Sequence, residues 1–496
     1  MNRSTISLAG AAAALAVLTG AAVLTGAGDP AAAHVGTAAR LPIQRSTLLC
    51  PQPSSSEFAT TTYTSFTPQG PGGSAGSGDS GTGGTSPKAQ LVPAAAKAKP
   101  LAPLTAVGKP VTTSTDKAEA PALIGTADGP LAPGWTVQQT TVVDEGSARG
   151  LSGLSCVAPD SEFWFPGAST DTTRQDYLHL VNPDATPAVV DVELYGKDGL
   201  LKASTGDGIT VPGQSSEPVL LSTLVADKAP DLTVHVVARS GRVGAAVQAV
   251  DSKLGSDWLA PATDPATSLV MPGIPADAKS VRLVVYAVGT DDADVTLRLA
   301  TSTGTITPAG HETLHVKAGM TTAVDLGDVT KGDAGSLLIG SSTVHAPVPV
   351  VAALRVTRGN GTKQDMAFLP ATSRVETRAT VADNRAKAST LSLTAVGKDA
   401  SVKVTSSAGT SGGTAVTKTV TVKAGTTLGF QPAPPDGGKG AYAVTVEPVS
   451  GGPVYASRML SLPLNGVPMF TLQPLPDDRG MVEVPQAGPD LTILNR

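Results

Sequence analysis

From about residue 169 onward, β-branched and polar residues alternate along the chain. Leu232-Thr-Val-His-Val-Val, Val281-Arg-Leu-Val-Val and Val420-Thr-Val-Lys are typical runs. A period of two places one face of an extended segment in a core and the other in water, which predicts half-buried strands. Turn chemistry separates the runs at Gly196-Lys-Asp-Gly199, Ala318-Gly319, Gly359-Asn-Gly361 and Gly451-Gly452. No stretch between them has a helical period.

The pattern also recurs at long range. Leu178, Leu283 and Leu391 open comparable strands 105 and 108 residues apart, and Val211, Val316 and Val422 begin comparable turns 105 and 106 apart. Val192, Val295 and Val402 keep a similar interval, as do Ala245, Ala352 and Ala456, and Pro166, Pro272 and Pro370 are read as closing each unit. Five registers holding one interval predict three homologous modules. Trp135 to Gly167 resembles the tail of a fourth, degenerate one. About seven strands in roughly 105 residues is the measure of an immunoglobulin-like antiparallel β-sandwich. The expected fold class is therefore all-β, a string of such modules. The expected boundaries are an N-terminal β-module over 41–168, repeats over 169–273, 274–371 and 372–476, and a C-terminal tail over 477–496.

The N-terminus departs from this pattern. Arg3 is the only charge before Asp29, and Ile6 to Gly28 is an uncharged Ala/Leu/Val run followed by Ala31-Ala32-Ala33. A basic start, an apolar run and a small-residue exit form an export signal, with cleavage expected after Ala33. The run also has the length of a membrane-spanning helix, so residues 1–33 read as a signal peptide or as an uncleaved anchor. Pro68 to Pro110 is rich in Gly, Ser, Pro and Ala and has no aromatics. It reads as a disordered linker interrupting the N-terminal module. Cys50 and Cys156 are the two cysteines, and in an oxidising compartment they are expected to form one disulfide across that insertion.

Composition narrows the function classes. The 496 residues carry 36 Lys and Arg against 41 Asp and Glu, a net charge of −5, without the concentrated basic surface that nucleic-acid binding requires. Aromatics are 3% of the chain, so cores built mainly from Val, Leu and Ala are expected to be thin.

Several segments mimic catalytic motifs. His311-Glu312-Thr313-Leu314-His315 matches H-E-x-x-H, in which a helix presents both His to one zinc ion. Here the segment should be a strand, where residues i and i+4 lie about 13 Å apart. Two nitrogens on one zinc can be no more than about 4.2 Å apart. Gly78-Asp79-Ser80-Gly81 resembles a serine-protease nucleophile motif, but it falls in low-complexity sequence with only His34 upstream. Asp291, Asp292 and Asp294 cluster at an expected turn and raise calcium as an idea. Lys88, Lys97, Lys99 and Lys109 punctuate the linker as solvated charges or contacts for anionic wall polymers. Trp135, Trp164 and Trp258 could stack on sugars if exposed, or plug module junctions if buried. No catalytic, cofactor or metal residue is assigned.

Leu48-Leu49-Cys50-Pro51, Gly134-Trp135, Cys156 followed by Phe163-Trp164-Phe165-Pro166-Gly167, and the stretch Leu475-Pro-Asp-Asp-Arg-Gly480 resemble a secreted actinobacterial family, the domain of unknown function 5719 family. The resemblance implies an exported cell-surface protein with no assigned catalytic residues. The expected role is a non-enzymatic scaffold of the cell envelope, outside the cytoplasm. Its partner would be a wall polymer or an envelope protein, with membrane contact only through an uncleaved N-terminal segment. A glycan-binding surface module and a metal-dependent hydrolase using His311, Glu312 and His315 are the alternatives.

Overall fold

The computed structural model describes residues 39–70, 88–95, 98–203, 205–342 and 347–485. Two compact units result, one whose described residues are 39–42 and 481–485 and one from Ile43–Gly480. In the first, Ala39–Pro42 and Met481–Val484 form an antiparallel ribbon with Leu41 opposite Val482. The proposed signal segment and its Ala33 cleavage site lie outside the described residues. Among the described residues, no helix is long and apolar enough to cross a membrane.

Ile43–Gly480 is nearly all β and antiparallel, as the period of two requires. Four modules each pair two sheets, and one sheet in each module has the same strand order. In the first module that order is Val111–Thr115, Ala59–Phe66, Thr136–Val143, Gly150–Ser155. The second runs Ser215–Leu220, Arg174–Asn182, Gly244–Asp251, Gly255–Leu259, and the third Thr321–Asp325, Ser280–Ala287, Val350–Asn360, Lys363–Pro370. In the fourth it is Thr426–Phe430, Ser389–Ala395, Val454–Ser461, Phe470–Pro474.

The last strand of each order is an axial strand. Each packs against the next, and that of the fourth module packs back against that of the first, closing a ring. The modules are therefore not the separated beads that the repeat suggested. Every axial strand sends one face into the preceding module, and those of the second and third modules also turn Leu259 and Ala367 with Leu369 into their own cores. Met366 and Phe368 of the third module enter the core of the second, while Ala367 and Leu369 enter their own. Phe470 and Leu472 of the fourth enter the core of the third. Leu151 of the first meets Leu460, Val467 and Met469 of the fourth. Trp258 of the second meets Leu154 of the first. A strand buried on both faces reads as a near-continuous apolar run, which is why Asp-Met-Ala-Phe-Leu-Pro at 365–370 lacks the alternation seen elsewhere. Arg378 adds a polar seam between the ends of the ring. Its guanidinium pairs with Asp478 at 2.5 Å and donates to the carbonyls of Gln69 and Pro133 in the first module.

Three boundary expectations are corrected. Pro166 and Pro272 do not close modules: Glu162–Ala168 and Ser268–Ile274 pair with Leu232–Ser240 and Gly335–Ser341 and so open the second and third. Trp135 to Gly167 is not the tail of one degenerate module: Thr136–Val143 and Gly150–Ser155 belong to a first module that builds both sheets from Arg45–Cys50 onward, and Glu162–Ala168 belongs to the second. The linker is shorter than 68–110, because Ala89–Pro93 pairs with Leu123–Asp128. Ala89 and Leu91 alternate inward there, and Leu104 is completely buried beside them. A few correctly phased apolar residues hold a strand when a neighbouring strand is already in place, and composition averaged over the tract conceals them. The start of the supposed tail is also structured: Asp477 Oδ1 accepts the backbone N–H groups of Glu376, Thr377 and Arg378.

Candidate functional site

Where the axial strands meet, the interior is polar. Asp257 is fully buried and bridges three modules: its carboxylate accepts the Gly153 N–H at 3.0 Å and the Thr471 hydroxyl at 3.0 Å. Gly153 has to be glycine, because a Cβ there would run into the Gln473 amide and lie 2.7 Å from Thr471 Cγ2. Asp365 accepts the Phe470 N–H at 2.8 Å, while its other oxygen has no hydrogen-bond partner. Burial pushes both carboxyls well above the usual carboxylate range. Arg458, opposite Gln473 on the neighbouring strand, is completely buried and drawn down to about 10 by burial, against the pull of the Asp383 and Asp257 carboxylates.

These groups set a pH dependence. An unfolded Asp ionises near pH 4, whereas Asp257 and Asp365 keep their protons to higher pH in the folded state. The folded chain then binds more protons than the unfolded chain, so stability falls as pH rises above about 4. His179 has the opposite sign: burial lowers it from 6.5 to about 4, so its contribution is lost as pH falls through that window. Denaturant midpoints measured between about pH 4 and 8 should fall on the alkaline side, and Asp257→Asn should flatten that fall. An unchanged alkaline slope in Asp257→Asn would remove Asp257 as its source.

At one end of the axis the hairpin turns before three axial strands converge on a cleft of about 490 Å³. Gly146, Ser147 and Arg149 come from the first module, Ser252, Lys253 and Gly255 from the second, and Gly361, Thr362 and Gln364 from the third. Arg149 Nη2 donates to the Gln364 carbonyl at 3.0 Å, which fixes the guanidinium across a module boundary. Gly255 has a φ of +95°, and a Cβ there would lie 2.5 Å from the Arg149 carbonyl and 2.8 Å from the unpartnered Asp365 oxygen. Asp365 thus sits directly beneath the floor of the cleft. The arrangement offers two cations, three hydroxyls and an amide on a rigid base, a set suited to holding a polar ligand.

The residues singled out in the sequence lie elsewhere. Cys50 and Cys156 form the disulfide, with Cα atoms 4.6 Å apart. The segment 311–315 runs into the strand Thr313–Val316, and His315 pairs with Asp294 at 2.8 Å and Asp292 at 3.3 Å. Asp294 raises His315 above its ordinary pKa. That pairing occupies two of the three aspartates considered for calcium, and Asp292 also accepts the Ala318 N–H. Among the described residues, no three His, Cys, Asp or Glu side chains are grouped to hold a metal ion. Ser80 and Lys97 lie outside the described residues, while Lys88, Lys99 and Lys109 are exposed. All three tryptophans are buried, which removes them as sugar platforms. Trp135 belongs to the first core and donates to the Ser65 hydroxyl. Trp164 stacks between His235 and Tyr286 at the junction of the second and third modules.

Reading the sequence missed the axial groups, although a signal existed. Asp257 precedes Trp258-Leu259 and Asp365 precedes Met366-Ala-Phe-Leu369, and a lone carboxylate leading into an apolar run is such a signal.

The sequence profile described as a family of unknown function (DUF5719) matches residues 111–433, from within the first module into the fourth, and the chain belongs to that family. No curated protein matches the chain.

Proposed function

We propose that this member of the DUF5719 family is an exported, non-enzymatic binding scaffold of the cell envelope, with the axial cleft as its ligand-binding end. The convergence of three equivalent hairpins from three modules on one cleft carries this reading. Ring closure holds those hairpins in fixed relation, as a binding surface requires for low ordering cost. The N-terminal apolar run and the Cys50–Cys156 disulfide favour export, since disulfides persist in oxidising compartments. The hydrolase alternative loses support because His315 faces Asp292 and Asp294 rather than His311.

The test combines cell fractionation and N-terminal sequencing with binding of the purified chain to isolated envelope. Recovery outside the cytoplasm and saturable envelope binding are expected. A cytoplasmic protein with an intact N-terminus, or one indifferent to envelope material, would overturn the proposal. Zinc retained by the native chain and lost in His311→Ala would restore the hydrolase.

A further inference from the structure

We propose that the axial cleft is an oxyanion site that takes a phosphate or carboxylate group carried on a polyol. The inference rests on the reading of the cleft as the ligand end and adds the chemical class of the ligand.

Charge is the first support. Arg149 and Lys253 both line the cleft but come from different modules. Their separation is therefore set by ring closure and not by one flexible loop. Lys253 makes no ion pair among the described residues, and Arg149 spends Nη2 on a neutral carbonyl, the Gln364 oxygen. Among the described residues neither cation makes a direct ion pair with a carboxylate, although Arg149 lies in the field of the buried Asp365. A guanidinium and an ammonium without a counter-ion suit a phosphate or carboxylate, with which they form charge-assisted hydrogen bonds.

The neighbouring acids do not cancel this charge. Asp251 is turned to the backbone and accepts the N–H groups of Lys253 and Leu254. Asp144 and Glu145 are exposed on the first hairpin ahead of the lining residues. Burial pushes the carboxyl of Asp365, below Gly255, well above the usual carboxylate range, which favours its neutral form under the floor. Lys363 bonds the Asn465 carbonyl of the fourth hairpin at 2.8 Å and adds a third cation near the rim.

The hydroxyls specify the rest of the ligand. Ser147, Ser252 and Thr362, with the Gln364 amide, ring the same cleft. They donate and accept equally well, and a ligand with several hydroxyls of its own satisfies them better than an apolar body. The cleft holds about 490 Å³, room for one or two sugar-sized groups and not for a folded partner.

Calorimetric titration of the full mature chain with inorganic phosphate, glucuronate and glucose, at low and high salt, tests this. Phosphate or glucuronate should bind and glucose should not, and the two anion arms show which oxyanion is preferred. Arg149→Gln with Lys253→Gln should weaken binding at least about tenfold, and Lys253→Gln alone about threefold. Glu145→Gln, which removes a nearby negative charge and touches no bond in the cleft, should strengthen it. Absence of both anions from the site up to about 10 mM, or equal affinity in native chain and double variant, would overturn the proposal. Envelope binding that survives the double variant overturns the oxyanion assignment and leaves the scaffold standing. Anion binding without any envelope binding does the reverse.

Discussion

Trp258→Ala is expected to destabilise the protein by about 3–5 kcal/mol, read as a fall in the denaturant midpoint without a change in slope. Trp258 is 2% exposed and lies on the face of its axial strand that enters the first module, against Leu154 and Ala246. His179 meets its ring edge-on at 5.2 Å. Truncation leaves a cavity between two modules that the ring holds on every side, so collapse to fill it is opposed. The indole N–H has no hydrogen-bond partner, so Trp258→Phe should cost less than about 1.5 kcal/mol. Equal costs for the two substitutions would mean that packing at this junction is not what Trp258 contributes. A cost for Trp258→Ala below about 1 kcal/mol would indicate modules that fold independently of the ring.

Loss of the Cys50–Cys156 bridge should have an effect of similar size. The bond spans 106 residues, and the chain-entropy argument gives roughly 4–5 kcal/mol for a loop of that length. It joins the strand Arg45–Cys50 to the residue after the first axial strand, beside the Leu49–Val157 backbone pair. The paired double variant Cys50→Ala with Cys156→Ala should keep the fold at moderate temperature and unfold earlier on heating. A protease that cuts within the Gly/Ser tract before Lys88 supplies an independent check. Denaturing electrophoresis should show one joined species without reductant and two pieces with it. Separation into two pieces without reductant would exclude the bond.

How far the fold was legible depended on which physical signal each part carried. Strands with one wet face announce themselves by alternation, so Ala188–Gly196 and Ala400–Gly409 were readable directly. Pro370 marked the end of a unit, but the strand Lys363–Pro370 before it was not legible, because its double burial erases the alternation. Glu162–Ala168 was assigned to the wrong module, since a strand's sequence does not specify which neighbour it pairs with. The His311–His315 segment was correctly read as extended because its neighbours alternate, yet its partner aspartates became visible only through the pairing of Asp294 with His315 across the sheet.

Local chemistry alone determined the strand-rich class, the interval of the modules, the turns and the two thiols available to pair. These follow from backbone preferences and from side-chain spacing within a few residues. Only the tertiary structure decided that the modules close into a ring, that Asp257, Asp365, Thr471 and Gln473 meet at its axis, and that Arg149 and Lys253 share one cleft. Contacts between residues a hundred or more positions apart depend on which surfaces bury each other. That choice is made by the packing of whole sheets, such as Phe368 and Phe470 entering the cores of their neighbours, and no local pattern encodes it.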